Sequence, residues 1–261
     1  MSFMPSSAGS NVAPTAILSA LPQEQRGLVD VLQAPSRVTH AGREFWLGQL
    51  HGHPVVLALS RIGKVAAATT ASALIERFGV GRIVFTGVAG GLGPAVNVGD
   101  VVVATDFVQH DLDVSPLFPR FEVPFYGKAR FDADEALGEL MWAAANRVLA
   151  RRGHGDEFAG ARVHRGLIAS GDRFVSGGDE SSALHGVLTA AGHAVLAVEM
   201  ECAAVAQVCV DYGIPFAAMR TISDRADDTA HVDFAHFVEH VASRYARDII
   251  GDLLATLPGQ P

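Results

Sequence analysis

Two carboxylate-bearing segments lie in the C-terminal third of the chain, Val198-Glu199-Met200-Glu201-Cys202 and Arg220-Thr221-Ile222-Ser223-Asp224. Each follows a short apolar run, Ala194–Val198 in one case and Ile214–Met219 in the other. Runs of that length read as buried strands, so Glu201 and Asp224 fall where two strands end. In open α/β sheets, ligands bind at the carboxyl ends of strands. A carboxylate buried there is costly without a partner or a task. Two of them point to a site that grips polar atoms and moves a proton.

Each candidate acid also has a plainer reading. Glu24 follows the first strand-like run, in Ala20-Leu21-Pro22-Gln23-Glu24. Pro22 suits a first helical turn and an acid there is favoured by the helix dipole, so Glu24 is either a helix-start residue or a general base at a strand end. Glu201 can be read in the same two ways. Glu199 is two residues away, and an extended segment puts both acids on one side with Val198 and Met200 on the other, so one glutamate is expected to be structural. Asp224 opens the polar loop Arg225–His231, which holds Asp227 and Asp228, and a capping or loop charge is its plainer reading. Phe174 follows Ser170-Gly171-Asp172-Arg173 and serves either as core or as a platform for a flat aromatic ligand. His110 is expected to be a satisfied structural histidine. None of the 11 histidines accompanies a serine in a Gly-x-Ser-x-Gly setting.

These residues need elements to position them. Strand-like runs cover Thr15–Leu21, Arg82–Phe85, Val101–Val108, Arg162–Ile168, Ala194–Val198 and Pro215–Thr221. Phe45–Gln49 and Pro54–Leu59 flank His51-Gly52-His53 and predict a hairpin. Helical spacing covers Gln23–Leu32, Gly63–Phe78, Ala133–Leu149, Asp179–Ala191, Glu201–Tyr212 and a long terminal helix, Phe234–Leu257. Asp111–Lys128, rich in proline and aromatics, reads as an excursion. Strands alternate with helices throughout, which predicts a three-layer α/β/α sandwich with a mixed central sheet. There is no internal repeat and no linker, so residues 14–261 are expected to be one domain behind a flexible tail at 1–13. The segment Thr86–Pro94 predicts a glycine-rich turn whose backbone can approach a ligand, with Ala89 and Gly90 as contact positions. It lacks the P-loop lysine and the dinucleotide fingerprint, so no cofactor is expected.

Composition narrows the class. The 261 residues are 49% hydrophobic and 18% charged, which is globular. The net charge of −8, without a Lys/Arg block, argues against nucleic acid and against an anionic membrane surface. No apolar run reaches membrane-spanning length. Met1–Ala13 lacks a charged n-region and an apolar h-region, so no signal peptide is expected. The two cysteines, Cys202 and Cys209, are seven apart on a helix and read as buried thiols of a cytoplasmic protein. No Cys/His spacing suggests a metal.

The motifs occur in an order that resembles a known family. Glu24, Ser60-Arg61-Ile62-Gly63-Lys64-Val65-Ala66, the stretch from Thr86 to Leu92, Val98-Gly99-Asp100-Val101, Ser170-Gly171-Asp172, Val198-Glu199-Met200-Glu201 and Ser223-Asp224 together resemble the 5′-methylthioadenosine/S-adenosylhomocysteine nucleosidases, within the nucleoside phosphorylase superfamily. The resemblance spans about Thr15 to Leu257. It implies cleavage of an N-glycosidic bond with release of adenine. It also implies that Asp224 protonates adenine N7, Glu24 holds and activates water, and Glu201 binds the ribose hydroxyls. Met200 would pack on the sugar, Phe174 would stack on adenine, and backbone at Val175 would read its edge. Ile62 and Phe234 would line the pocket, while Ser223, Arg220 and Glu199 would support the acids. A homodimer is implied, with the aromatic-rich loop 115–126 helping to roof the 5′ pocket.

Three features depart from the family pattern. Val88 stands where a serine is common, Arg61 stands where a glycine is common, and Ser115–Pro124 differs. An arginine near the site keeps open a phosphorylase, since a phosphate nucleophile needs cations. Against that, Glu24 would repel phosphate. A futalosine-type hydrolase and a non-catalytic nucleoside binder also stay open.

Overall fold

The computed structural model describes residues 12–151, 158, 160–226, 234 and 237–257. In chain order it places β1 (Thr15–Ser19), α1 (Pro22–Val29), β2 (Gln33–His40), β3 (Arg43–Leu50), β4 (His53–Leu59), α2 (Lys64–Phe78), β5 (Arg82–Gly91) and β6 (Val101–Gln109). Then come β7 (Arg130–Asp132), α3 (Glu135–Ala150), β8 (Val163–Ser170), α4 (Gly178–Ala190), β9 (Val195–Glu199), α5 (Cys202–Tyr212), β10 (Phe216–Asp224) and α6 (Ser243–Thr256).

The strands form one mixed sheet. Alternation along each strand sends side chains to opposite faces. Ala16 and Leu18 of β1, with Val56 and Ala58 of β4, pack under α2 and α5 through Ala67, Leu74, Val205 and Cys209. Ile17, Val55 and Leu57 point the other way, toward Leu28 of α1, Met141 of α3 and Ile249 of α6. The result is the expected helix–sheet–helix layering. Part of the sheet also closes on itself. β5 pairs with both β9 and β10, and β9, β8, β6 and β10 pair in succession. Strands β1, β4, β3 and β2 run out from this ring as an open wing.

The hairpin forms as expected. β3 and β4 pair antiparallel around His51 (φ 50°) and Gly52 (φ 80°), two left-handed residues as in a type I′ turn. Cys202 and Cys209 are buried free thiols on α5. The excursion after β6 contains one isolated bridge, Val123 to Lys128.

Three expectations are corrected. Thr86–Pro94 is predicted as a turn, yet β5 continues to Gly91. Its glycines serve close approach within a strand. A Cβ on Gly87 would sit 2.9 Å from both Arg220 Nη1 and Glu24 Oε1, and one on Gly90 would sit 3.0 Å from Asp224 Oδ1. β2 is not anticipated by the sequence pattern because it is a polar edge strand. Its residues are exposed or half-buried, with Pro35 among them, so it has no apolar alternation to detect. The long terminal helix is interrupted: Val238–Ala242 is a π-helical turn before α6. Residues 235 and 236 of that helix, 227–231 of the loop after Asp224, and 1–11 of the tail lie outside the described residues.

Candidate active site

Glu24, Glu201 and Asp224 arrive from three strand ends at one cavity of about 410 Å³. Glu24 sits in the first turn of α1, just past β1. Its Oε2 accepts the N–H groups of Ala20 (2.8 Å) and Leu21 (2.9 Å), and its Oε1 accepts Val88 N–H (3.0 Å). It is therefore both the helix-start acid and a cavity wall. Burial raises its pKa, against the charge of Arg220 and those three amides.

Glu201 caps α5 two residues beyond the end of β9. Its Oε1 accepts Gly63 N–H at 2.9 Å. Burial, then the nearby Glu199 charge, push its pKa up to about 8. Glu199 ends β9 and is saturated. Arg220 donates to its Oε2 through Nε (3.2 Å) and Nη2 (2.6 Å). Ser170 Oγ donates to its Oε1, and the amides of Glu201 (3.1 Å) and Cys202 (3.0 Å) donate as well. Burial alone would raise the pKa of Glu199, but Arg220 and these hydrogen bonds hold it below the usual carboxylate range. Arg220 is fully buried in mid-β10, with its guanidinium 4.1 Å from the centre of the Phe85 ring.

Asp224 closes β10, in register with Gly90 of β5. Ser223 Oγ donates to Asp224 Oδ2 at 2.8 Å, and Ala226 N–H donates to Oδ1 at 2.9 Å. The remaining walls are largely apolar: Val88, Ala89, Val175, Met200, Ile62 at the exposed mouth, and Phe174 edge-on to Phe234 at 5.5 Å and 72°. Gly90 and Glu199 also line the cavity. Ser223 and Arg220 stand behind the lining and hold the acids. A largely apolar cavity edged by four acidic side chains, one of them paired with Arg220, suits an aromatic base joined to a polyhydroxylated group. Among the described residues, no cluster of His, Cys, Asp and Glu could hold a metal.

Sequence reasoning missed the Gly63 and Val88 amides and the Ser170 hydroxyl. Ser170 carried a signal, since it ends a buried strand within Ser170-Gly171-Asp172. Backbone amides carry none. His110 is also corrected: it is buried, but its Nε2 has no hydrogen-bond partner among the described residues. A larger cleft of about 800 Å³ lies by α1, α3 and α6. Its charges neutralise each other, Arg151 to Asp252 at 3.1 Å and Arg247 to Asp248 at 2.9 Å, which leaves little chemistry there.

Residues 14–255 match the family model of the phosphorylase superfamily. A 5′-methylthioadenosine/S-adenosylhomocysteine nucleosidase of Bacillus thuringiensis (strain Al Hakam) is 38% identical over 228 residues, 87% of this chain and 92% of that protein. The enzyme of that name from Neisseria meningitidis, in complex with methylthio-immucillin-A, matches in structure with a TM-score of 0.84 at 34% identity, covering 94% of this chain and 100% of its own. Futalosine hydrolase of Helicobacter pylori strain 26695 matches with a TM-score of 0.81 at 30% identity, covering 94% and 99%. With identity at this level sustained across nearly the full length of both proteins, the chain belongs to the 5′-methylthioadenosine/S-adenosylhomocysteine nucleosidases of the phosphorylase superfamily.

Proposed function

We propose that this chain hydrolyses the N-glycosidic bond of 5′-methylthioadenosine and S-adenosylhomocysteine, releasing adenine and the 5-thio-substituted ribose. The observation that carries this is the convergence of Glu24, Glu201 and Asp224 on one apolar-walled cavity, while Arg220 is committed to Glu199. Phe174, Phe234 and the backbone at Val175, Ala89 and Gly90 hold adenine at the Asp224 end. Ile62 and Met200 cover the sugar, and Glu201 accepts from its vicinal hydroxyls.

The bond between C1′ and N9 breaks with its electron pair moving into the base. Asp224 delivers a proton to N7, so adenine leaves neutral. Positive charge grows on the sugar ring and the nearby carboxylates stabilise it. A water oxygen held by Glu24 bonds to C1′, and Glu24 takes its proton. Each such proton transfer contributes about 10²–10⁴-fold. Burial favours proton uptake by Glu24, as a general base requires.

A phosphorylase would need free cations at the water position. Arg61 instead donates to Gly42 O, and Arg173 at the cavity lining pairs with Glu180 at 2.8 Å. The reading extends to a single nucleosidase domain over 14–261 in a cytoplasmic homodimer serving methionine salvage. The excursion supports the dimer: Phe121 is buried, while Leu117 and Phe125 are 79% and 94% exposed, a surface suited to a second copy over the 5′ pocket. Incubation with a panel of nucleosides, with and without phosphate, tests the function. Free adenine and free sugar from methylthioadenosine, independent of phosphate, are expected. Sugar 1-phosphate would make the chain a phosphorylase.

A further inference from the structure

Three charged residues that the reaction leaves unused meet beside the cavity. Lys64 is the first residue of α2, Asp111 opens the excursion after β6, and Asp172 follows β8. They form a closed ring. Lys64 N–H donates to Asp172 Oδ1 at 2.8 Å, Asp172 N–H donates to Asp111 Oδ2 at 2.8 Å, and Lys64 Nζ reaches Asp111 Oδ1 at 2.5 Å. Lys64 Nζ also donates to Gln109 Oε1 at 3.2 Å, and Gln109 donates to Gln207 of α5 at 3.0 Å.

The ring solves a problem at the start of α2. A helix leaves its first N–H groups without intrahelical partners. Here the cap is Gly63, with no side chain, and the first turn contains no acid. Two N–H groups at this helix end are instead taken by distant carboxylates: Gly63 N–H by Glu201 at 2.9 Å and Lys64 N–H by Asp172 at 2.8 Å. Gly63 adopts φ +94°, and a Cβ on it would lie 3.1 Å from Asp172 Oδ1. The amide that orients Glu201 is thus adjacent to the amide that Asp172 pins. Ile62 and Phe174, each two residues from the ring, line the cavity. A lone surface ion pair does little. This one is closed through backbone amides, so displacing any member displaces the helix end.

We infer that Lys64, Asp111 and Asp172 form a positioning clasp that holds the Gly63 amide against Glu201 and thereby sets recognition of the ribose. This rests on the reading that Glu201 grips the vicinal hydroxyls. None of the three touches the reacting atoms. Their effect passes through Gly63, so it concerns the sugar more than the base.

The test compares kcat/KM for 5′-methylthioadenosine and for its 2′-deoxy counterpart, with thermal unfolding of every variant. Lys64→Met and Asp172→Ala are expected to lower the ribo-to-deoxy preference by about tenfold, the scale of one hydrogen bond to a charged group, mainly through KM for the ribonucleoside. Asp172→Asn keeps an acceptor for Lys64 N–H and is expected to retain the preference. Glu201→Gln is the control and is expected to lose it. An unchanged preference in Lys64→Met and Asp172→Ala, with Glu201→Gln impaired, overturns the clasp alone. Equal loss on both substrates overturns it too, since that marks a merely structural role. An unchanged preference in Glu201→Gln overturns the ribose reading, and the clasp with it. Should Asp172→Ala fail to fold, Lys64→Met decides.

Discussion

The base of the site and its open floor are built from the same residue type, two positions apart. Glu199 and Glu201 are 7% and 5% exposed, and both lie near the Arg220 guanidinium. Arg220 Nη2 is 2.6 Å from Glu199 Oε2 but 3.7 Å from Glu201 Oε2. Glu199 also collects a hydroxyl and two amides, whereas the described contacts of Glu201 add one amide. Despite its burial, Glu199 is held as a carboxylate by Arg220 and these donors, while burial raises the pKa of Glu201 in the ligand-free protein, and vicinal hydroxyls donating to it would favour its carboxylate form. Burial is common to both, so the supply of donors separates them. A saturated carboxylate builds the scaffold, and an undersupplied one is left to bind a ligand.

The widest gap between the two regions should appear in turnover. Glu24→Gln on the open floor is expected to lose about 10²–10⁴-fold in kcat, since the amide cannot accept the proton from water. Its stability should fall only modestly, because the amide removes a buried charge but offers one acceptor oxygen to the three N–H groups that the carboxylate accepts. Steady-state rates beside a melting curve check both. A variant that unfolds while its folded fraction keeps full rate would move Glu24 into the scaffold.

Arg220→Met attacks the base. Removing one partner of a buried pair strands the other charge, and the expected loss is about 3–5 kcal/mol of folding stability. Denaturant unfolding measures it. A loss confined to activity would mean that Arg220 serves the ligand and not Glu199.

The smallest effect is a pH dependence of opposite sign in the two regions. An unfolded glutamate titrates near 4.5, and folded Glu201 near 8. Between these values the folded state keeps a proton that the unfolded state releases. The contribution of Glu201 to stability is therefore full below about 4.5 and is lost as pH rises to about 8. Glu199 behaves inversely: its contribution is present above 4.5 and is lost as pH falls through its lowered folded value. Unfolding free energies of wild type and Glu201→Gln across this window should diverge, with the variant gaining as pH rises. A constant difference would show Glu201 ionised like its neighbour.

How much of this was legible in sequence follows from what each residue requires. Buried strands such as Val101–Gln109 advertise themselves through continuous β-branched runs, and strand-end acids are conspicuous because burial makes them rare. Glycines in β5 read as a turn, because a glycine required by a side chain crossing from another strand looks locally like one required by backbone conformation. The closure of β5 on β10 depends on pairings far apart in sequence, which no local pattern carries. The residues by themselves narrowed Glu199 and Glu201 to one structural and one functional, and only the family resemblance assigned the ribose to Glu201, since local pattern does not carry where Arg220 Nη2 falls. The amides of Gly63 and Val88 were invisible, because every residue except proline has one.

The most direct test is Asp224→Asn, assayed for turnover of 5′-methylthioadenosine beside calorimetric binding of a non-hydrolysable analogue. The amide oxygen can still accept Ala226 N–H, and the amide NH2 can donate to Ser223 Oγ once that hydroxyl rotates, so the pocket should survive. It cannot give up a proton to N7. Affinity close to wild type and a kcat lower by about 10²–10⁴-fold are expected. A variant that binds the analogue and turns over at the wild-type rate would contradict the claim that the strand-end carboxylate of β10 is the acid.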